Sequence, residues 1–403
     1  MISQVSETKL EPLFPLLTAH LSCCLTHLDP SIQQDGLNLI DSLVGSVPSF
    51  LALHYAKILP DCLEQISARK DGDAKVSVSA DVSEKISSLQ WRTDVLKRVD
   101  KILNAILAHR RTKVELVNRQ SCVNVEFSEN LYCNLYPGRP NYLGLSDLVN
   151  KTGEDPMLEI IDKIVPLILD SWVEATSSDS KKGRIGFLSN DVFPLLESVA
   201  GILEKLLTYS QEVGPAGTDN PLLDRLRSKY FMDLNSRLLS HIPYSNSSGK
   251  CNAQNILLSS VTLSLADTLE PELLTRIIST LRSHSTDSEE RLKVFKNLLF
   301  MSSIDQSSRD GALTLLMEMS TNLPAGSKQR LSCIKVLSEL AEREELLGSW
   351  LETLPTRVVS TSESSLPEKF LILETMLKFA KRRNQHLVKS FKLTSVALQG
   401  KYI

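Results

Sequence analysis

The chain has 403 residues, of which 42% are hydrophobic and 23% are charged, a composition typical of folded globular proteins. Single cores stop growing at roughly 250–300 residues, so we expect more than one compact unit, and the composition excludes a fully disordered chain. Lysine and arginine (45) nearly balance aspartate and glutamate (48), for a net charge of −3. Any binding to nucleic acid must therefore come from a local patch.

The cysteines and the most apolar window indicate a soluble protein of a reducing compartment. Seven cysteines occur, none in a Cys-x-x-Cys pair, which excludes a disulfide framework and a zinc ribbon. The N-terminus has no apolar core and does not resemble a signal peptide. The window Met157–Val173 carries four charged residues, so it does not predict a membrane span.

The first 67 residues predict three amphipathic helices, because apolar residues recur every three or four positions. The second helix covers Ser31–Pro48 with Ser31 as its cap, and the third covers Phe50–Ile66 with a bend at Pro60. Helices that start about 18 residues apart have the period of HEAT or armadillo solenoids. The predicted apolar stripe of the first helix comprises Leu13, Leu16, Leu17, His20, Leu21, Cys24 and Leu28.

The middle of the chain combines long helices with polar breaks. Ala68–Glu84 is small and polar and predicts a linker, and a long helix follows over Ser87–His109. Residues 114–155 predict an irregular insertion, because alternating VNVEF precedes three tyrosines around a Pro-Gly-Arg-Pro turn. A helix kinked at Pro166 is expected over Pro156–Ala175, and a hydrophilic break over Thr176–Arg184.

The remainder predicts further helices and no sustained strands, so the expected class is all-α, a HEAT/armadillo-like α-solenoid with the insertion at 114–155. The predicted blocks are residues 1–67, a linker at 68–86, repeats at 87–245 and C-terminal repeats at 246–403. Five or so helices are expected between Ser288 and Gln399. The helices predicted before them cover Asp191–Tyr209, Pro221–Ser240, Ala253–Leu269 and Pro271–His284.

Motifs for catalysis, phosphate binding or cofactors are missing from the sequence, so we expect no enzyme, no metal and no cofactor. The sharpest constellation is His20, Cys23, Cys24 and His27, which share one helical stripe. Consecutive turns of one helix spread these ligands over about 10 Å, too far for a tetrahedral zinc ion. A core or half-core face is the favoured interpretation.

Two stretches are locally basic. Arg92–Lys113 carries seven cations against two acids, and Lys378–Lys401 carries seven cations and no acid. Either stretch could follow phosphates or an acidic partner, and Lys381-Arg382-Arg383 could serve in nuclear import. A solvated helix face is favoured for the first stretch and remains equally open for the second. The candidate patch for RNA or an acidic partner comprises Lys378, Lys381, Arg382, Arg383, Lys389 and Lys392.

Four blocks resemble the testis-expressed protein ten / Ipi-one family of HEAT-like ribosome-assembly factors. The first, Leu13–Leu51, is similar to the family's helix pair with its FPL, AHL and IQ-x-D elements and is the specific one. Leu89–Val99, Ile160–Ala175 and Leu226–Tyr244 support it in the family's order. Members carry a Lys-rich tail and further repeats before the first block, so we expect this chain to lack that N-terminal part and to expose an apolar helix face near Leu13.

The resemblance implies a non-enzymatic subunit of a Rix-type complex in the nucleus, nucleolus and nucleoplasm. Its partners would be a proline-, glutamate- and leucine-rich scaffold protein, a WD-repeat propeller protein, a midasin-type AAA ATPase and the pre-60S particle, with no membrane. It would support removal of the second internal transcribed spacer (ITS2) and pre-60S remodelling. Two alternatives stay open: a helical-repeat adaptor of another nuclear or transport complex, and a direct RNA-binding module using the basic C-terminus.

Overall fold

Helices account for nearly all of the chain that the computed structural model describes. Contacts divide the chain into two units, residues 1–241 with 245–254, and residues 242–244 with 255–403. Helices pack on their neighbours within each unit, so the predicted all-α class with stacked helices is confirmed. The described residues are 7–67, 88–121, 155–179, 186–213, 220–246, 251–266, 268–283, 289–301, 304–341, 347–360, 365–381 and 385–388.

The first unit contains eight described helices of more than four residues. Two short helical turns, Glu7–Leu10 and Glu11–Leu13, precede the first of them. The helices are α1 (Phe14–Leu25), α2 (Pro30–Ser46), α3 (Pro48–Glu64), α4 (Ser88–Ser121), α5 (Pro156–Asp179), α6 (Phe193–Val213), α7 (Pro221–Arg225) and α8 (Phe231–Arg237).

Three helices of this unit start with the same device, an Asx residue followed by proline. The side chain of Asp29 accepts the backbone N–H of Ser31, Asp155 accepts that of Met157, and Asn220 accepts that of Leu223. Proline suits the first helical position, because its missing N–H would have no partner there. Ser31 was therefore wrongly predicted as the cap of α2.

Helix α1 buries a different face from the predicted one. Phe14, Thr18, Leu21 and Leu25 are buried, whereas Leu17 and Cys24 are half-buried and the remaining residues of the predicted stripe except Leu21 are exposed. Leucines occur on both faces of this helix, so apolar spacing alone cannot select the buried one. The aromatic ring of Phe14 packs on α3, and this contact determines which face of α1 is buried.

Helix α4 continues beyond its predicted end at His109 as far as Ser121. The prediction of an irregular insertion is therefore wrong for residues 114–121, and residues 122–154 lie outside the described part. The sequence predicts a buried stripe on α4 at Leu89, Leu96, Val99, Leu103 and Ile106. The last four are buried, which confirms the prediction, and Leu89 is half-buried. The predicted linker at residues 68–86 also lies outside the described residues.

The helix predicted over Pro221–Ser240 is interrupted. Between α7 and α8 the chain makes a π-helical turn over Leu226–Tyr230, and a 3₁₀ turn over Leu239–His241 follows α8. The strands β1 (Phe187–Leu188) and β2 (Ser245–Asn246) then pair in parallel, and they are the only strands within the described ranges.

The second unit surrounds one hydrophobic cluster. The cluster draws on every helix of this unit and includes Phe295, Leu316, Leu337 and Trp350. The five helices predicted after residue 288 are confirmed as α11 to α15. The helices are α9 (Asn252–Leu265, from residue 255 onward), α10 (Pro271–Ser283), α11 (Glu289–Phe300), α12 (Gln306–Asn322), α13 (Lys328–Leu340), α14 (Leu347–Ser360) and α15 (Leu366–Lys381).

Candidate interaction surfaces

The first three helices close around an aromatic cluster. The rings of Phe14 and Phe50 meet edge-on with centroids 5.1 Å apart, and Phe50 lies 5.2 Å from the imidazole of His54. At Gly36 the two helices α1 and α2 approach closely, since a Cβ atom there would lie 3.1 Å from the Leu25 side chain. This close packing fixes the outward face that α1 to α3 can present.

Asp41 of α2 connects this cluster to α4. Its carboxylate accepts from the guanidinium of Arg98, at 2.8 Å, and from Lys101 Nζ, at 2.5 Å. Arg98 also reaches Asp94, one turn earlier on its own helix, at 3.5 Å. Two cations of the first basic stretch therefore hold two helices together.

Asp100 connects α4 to α6. Lys205 Nζ donates to Asp100 Oδ1 at 2.7 Å, and Gly201 leaves the space for that carboxylate, since a Cβ there would lie 2.5 Å from the same oxygen. Burial raises the pKa of Asp100, and the ammonium of Lys205 opposes that shift. Farther along both helices, Arg111 Nε donates to Glu212 at 2.8 Å.

Asp155 connects the start of α5 to α3 and α6. Besides capping the helix, its two carboxylate oxygens accept from the hydroxyls of Tyr55, at 3.4 Å, and Tyr209, at 3.2 Å. The guanidinium of Arg110 lies over the Tyr209 ring, 4.6 Å from its centroid. Burial raises the pKa of both tyrosines, so both hydroxyls stay protonated donors at neutral pH.

Asp162 holds α5 against α7 and the π-helical turn. Its carboxylate lies 2.9 Å from Arg225 and 3.1 Å from Lys229 Nζ, and it accepts from the Tyr230 hydroxyl at 2.6 Å. Burial works against the charged form, but these donors outweigh it and lower the pKa of Asp162. The supporting block Leu226–Tyr244 thus packs on the block Ile160–Ala175.

Five of the seven cations of the first basic stretch, Arg92–Lys113, contact other helices of the same unit. Arg92 pairs with Glu174 of α5, and the contacts of Arg98, Lys101, Arg110 and Arg111 described above all reach other helices. These five side chains therefore do more than solvate one face of the helix, which was the favoured interpretation of the stretch. Their observed role is to connect α4 to α2, α5 and α6.

The second basic stretch is described only in part. Lys378 lies over the Phe379 ring, 5.9 Å from its centroid, and Lys381 is exposed at the end of α15. The other members of the candidate patch, Arg382, Arg383, Lys389 and Lys392, lie outside the described residues. The patch therefore stays a prediction.

The histidine and cysteine stripe predicted on α1 faces outward, and its last member, His27, lies beyond the end of the helix at Leu25. His20, Cys23 and His27 are exposed and Cys24 is half-buried, so the core interpretation is wrong for three of the four. The N–H of Asp29 donates to His27 Nδ1 at 2.9 Å. Among the residues with described positions, no group of three or more His, Cys, Asp or Glu is placed to hold a metal ion.

Apolar side chains are exposed in both units. Near the start of α1, Leu13 and Leu16 are exposed. This agrees with the exposed apolar helix face that the sequence predicts near Leu13. A second set on α15 was not predicted, although the segment LPEKFLILETMLKFAK signals it by carrying apolar residues on both helical faces. Its members are Leu366, Phe370, Leu373 and Leu377.

Comparison with known proteins identifies the first block. A family model described as a Rix1 complex component involved in 60S ribosome maturation matches residues 8–103, the segment that contains α1, α2, α3 and the first half of α4. The chain is also 23% identical to the testis-expressed protein 10 homolog of Danio rerio over 487 residues, which cover 98% of this chain and 51% of that protein. It thus spans about half the length of that relative.

No helix of the described segments is long and apolar enough to cross a membrane. The two matches confirm the resemblance found in the sequence. The match of residues 8–103 makes this segment similar to Rix1 complex components involved in 60S ribosome maturation.

Proposed function

We propose that the chain is a non-enzymatic scaffold subunit of a Rix-type complex that acts in 60S ribosomal subunit biogenesis, in the nucleus, nucleolus and nucleoplasm. The observation that carries this proposal is the family match over residues 8–103. Since the chain spans about half of its relative, the activity and partners of the whole protein belong to the proposal as well.

The described helices support a role as a binding surface. Aromatic packing fixes α1 to α3, and the ion pairs of Asp41 and Asp100 fix α4 against its neighbours. A surface held in this way can bind partners across several helices without rearranging. The proposed partners are a proline-, glutamate- and leucine-rich scaffold protein, a WD-repeat propeller protein, a midasin-type AAA ATPase and the pre-60S particle, and the proposed steps are ITS2 processing and pre-60S remodelling.

Immunoprecipitation of the tagged full chain tests this proposal. We expect recovery of a WD-repeat protein and pre-60S proteins, and we expect depletion of the chain to increase precursor RNA that still contains ITS2. Two neighbouring substitutions on α2 form a matched pair. Leu37→Asp places a carboxylate in the core, where Leu37 is fully buried, whereas Asn38→Asp places one on the exposed face.

Leu37→Asp should abolish recovery of these proteins, and Asn38→Asp should retain it. Failure of the unaltered chain to recover pre-60S proteins would contradict the proposal. Association with cytoplasmic membranes, together with unchanged ITS2 precursors after depletion, would favour the transport-adaptor alternative instead.

A further inference from the structure

Helix α15 exposes a continuous apolar stripe. Leu366, Phe370, Leu373 and Leu377 are spaced four, three and four residues apart and therefore share one face of the helix. Their exposed fractions are 68%, 72%, 50% and 57%. Exposed leucines are common singly, but four large side chains in a row on one helix mark an interaction site.

The opposite face of α15 is buried in the core of the second unit through Ile372, Met376 and Phe379. The helix is also held by the fully buried Glu368, which lies 2.8 Å from Arg330 Nε and accepts the Gly326 N–H at 2.7 Å. Helices that are apolar on both faces are normally interior ones. The exposed stripe therefore belongs to a well-anchored helix that has room for one more neighbour.

The charged residues beside the stripe indicate what that neighbour is. Lys369 and Lys381 lie along the edges of the stripe, beside the single exposed acid Glu374. Residues 389–403 of this chain contain three lysines and no acid, and a second copy of the chain would bring the same lysine-rich edge. Either of these would place cations against cations, whereas an acidic neighbour would be attracted.

We propose that this stripe binds an amphipathic, acidic helix of another protein. Apolar residues of that helix at i, i+3, i+4 and i+7 would cover Phe370 and its neighbours, and its flanking carboxylates would face Lys369 and Lys381. This inference adds a binding surface to the proposed function and does not depend on the identity of the complex.

Fluorescence anisotropy with the purified full chain tests the proposal. The probe is a labelled designed helix of about 18 residues, ~27 Å long, with leucines on one face and glutamates beside them. A second peptide carries lysine at each glutamate position. We expect the glutamate peptide to bind and the lysine peptide to bind at least about tenfold more weakly.

Variants of the chain assign the binding to the stripe. Phe370→Glu, and separately Leu377→Glu, should weaken the glutamate peptide at least about tenfold, because both positions are already exposed to water and tolerate a charge in the folded chain. The matched control is Met232→Glu in the first unit, where Met232 is 74% exposed and binding should stay unchanged. Replacing Lys369 and Lys381 together with glutamate should reverse the preference between the two peptides.

Several results would overturn the proposal: no binding of either peptide, equal binding of both, or binding that the stripe variants leave unchanged. So would self-association that Phe370→Glu abolishes, or binding of a labelled single-stranded RNA in place of the peptides. Because the assay uses the purified chain alone, its outcome is separate from the recovery of pre-60S proteins.

Discussion

The acids that connect helices differ in burial between the two units. In the first unit, acids on α2, α4 and α5 pair with cations of neighbouring helices at partly exposed positions, so that Asp41 keeps 30% and Asp100 keeps 27% of its side-chain surface. In the second unit Lys296 and Glu339 form an exposed pair of the same kind, but the carboxylate of Glu368 is fully buried against Arg330, which is 13% exposed.

Equal distances do not imply equal contributions to stability. The pairs of Lys205 with Asp100 and of Arg330 with Glu368 measure 2.7 and 2.8 Å. The two cations are about equally buried, but Asp100 is partly exposed to water, which weakens the first pair, whereas Glu368 is fully buried. Removal of Glu368 therefore leaves the Arg330 guanidinium without its counter-charge at a site that water does not reach. Four substitutions test this difference.

Glu368→Ala should have the largest effect. It removes the counter-charge of Arg330 and the acceptor of the Gly326 N–H, so we expect the second unit to lose about 3–5 kcal/mol of unfolding free energy. Hydrogen–deuterium exchange of peptides from α13 and α15 measures this locally. Glu374→Ala, an exposed acid of the same helix, should change it by less than about 0.5 kcal/mol.

Asp155→Ala should come next, because this residue serves as a helix cap and as an acceptor for two tyrosine hydroxyls. Losing these interactions should cost about 2–3 kcal/mol in the first unit. Chemical denaturation followed by circular dichroism measures the loss. The exposed Glu159 of the same helix is the control, and an equal loss in Glu159→Ala would contradict the capping role.

Asp41→Ala should cost about 1 kcal/mol, because Lys101 is largely exposed and Arg98, although as buried as Arg330, keeps Asp94 as a second partner. Screening should reduce the difference from the unaltered chain when the ionic strength is raised to about 1 M. Unfolding curves at low and high salt measure both effects, with Asp35→Ala on the exposed face of α2 as the control. A loss as large as that of Glu368→Ala would remove the distinction between the two units.

Acid should abolish the contribution of Asp162, the smallest effect of the four. Its pKa lies below the usual value of about 3.9, so its stabilisation is fully present above that value and is lost as pH falls through the folded-state pKa. Unfolding of the unaltered chain and of Asp162→Asn should therefore differ at neutral pH and converge as the pH falls below the folded-state pKa. A constant difference across this range would show that the charge plays no part.

The sequence was sufficient for the class, the helix starts at Pro221 and Pro271, and the buried stripe of α4. These features depend on local rules: proline suits a first turn, and a helix with one apolar face buries that face. The buried face of α1 could not be predicted, because leucines lie all around it. The ion pairs of Asp41 and Asp162 could not be predicted either, since their partners lie 57 to 68 residues away.

The family block was recognised from its residues, but the exposed stripe of α15 was missed. Apolar residues in helical spacing normally predict burial, and only the packing of Ile372, Met376 and Phe379 shows which of the two apolar faces is covered. The basic stretch of α4 shows a similar limit, since a run of cations does not reveal that most of them pair with acids of the same unit.

The π-helical turn at Leu226–Tyr230 lies between two α-helices, α7 and α8. A π turn accommodates one extra residue within a helix, and here it ends at Tyr230, whose hydroxyl reaches Asp162. Deleting a single residue from this turn would restore α-helical winding and keep the residues after it in register, so Arg237 would stay close to Asp170. Deleting a residue from α8 instead would rotate Arg237 away from Asp170 by about 100°, so the segment should tolerate a one-residue deletion in the turn better than one in α8.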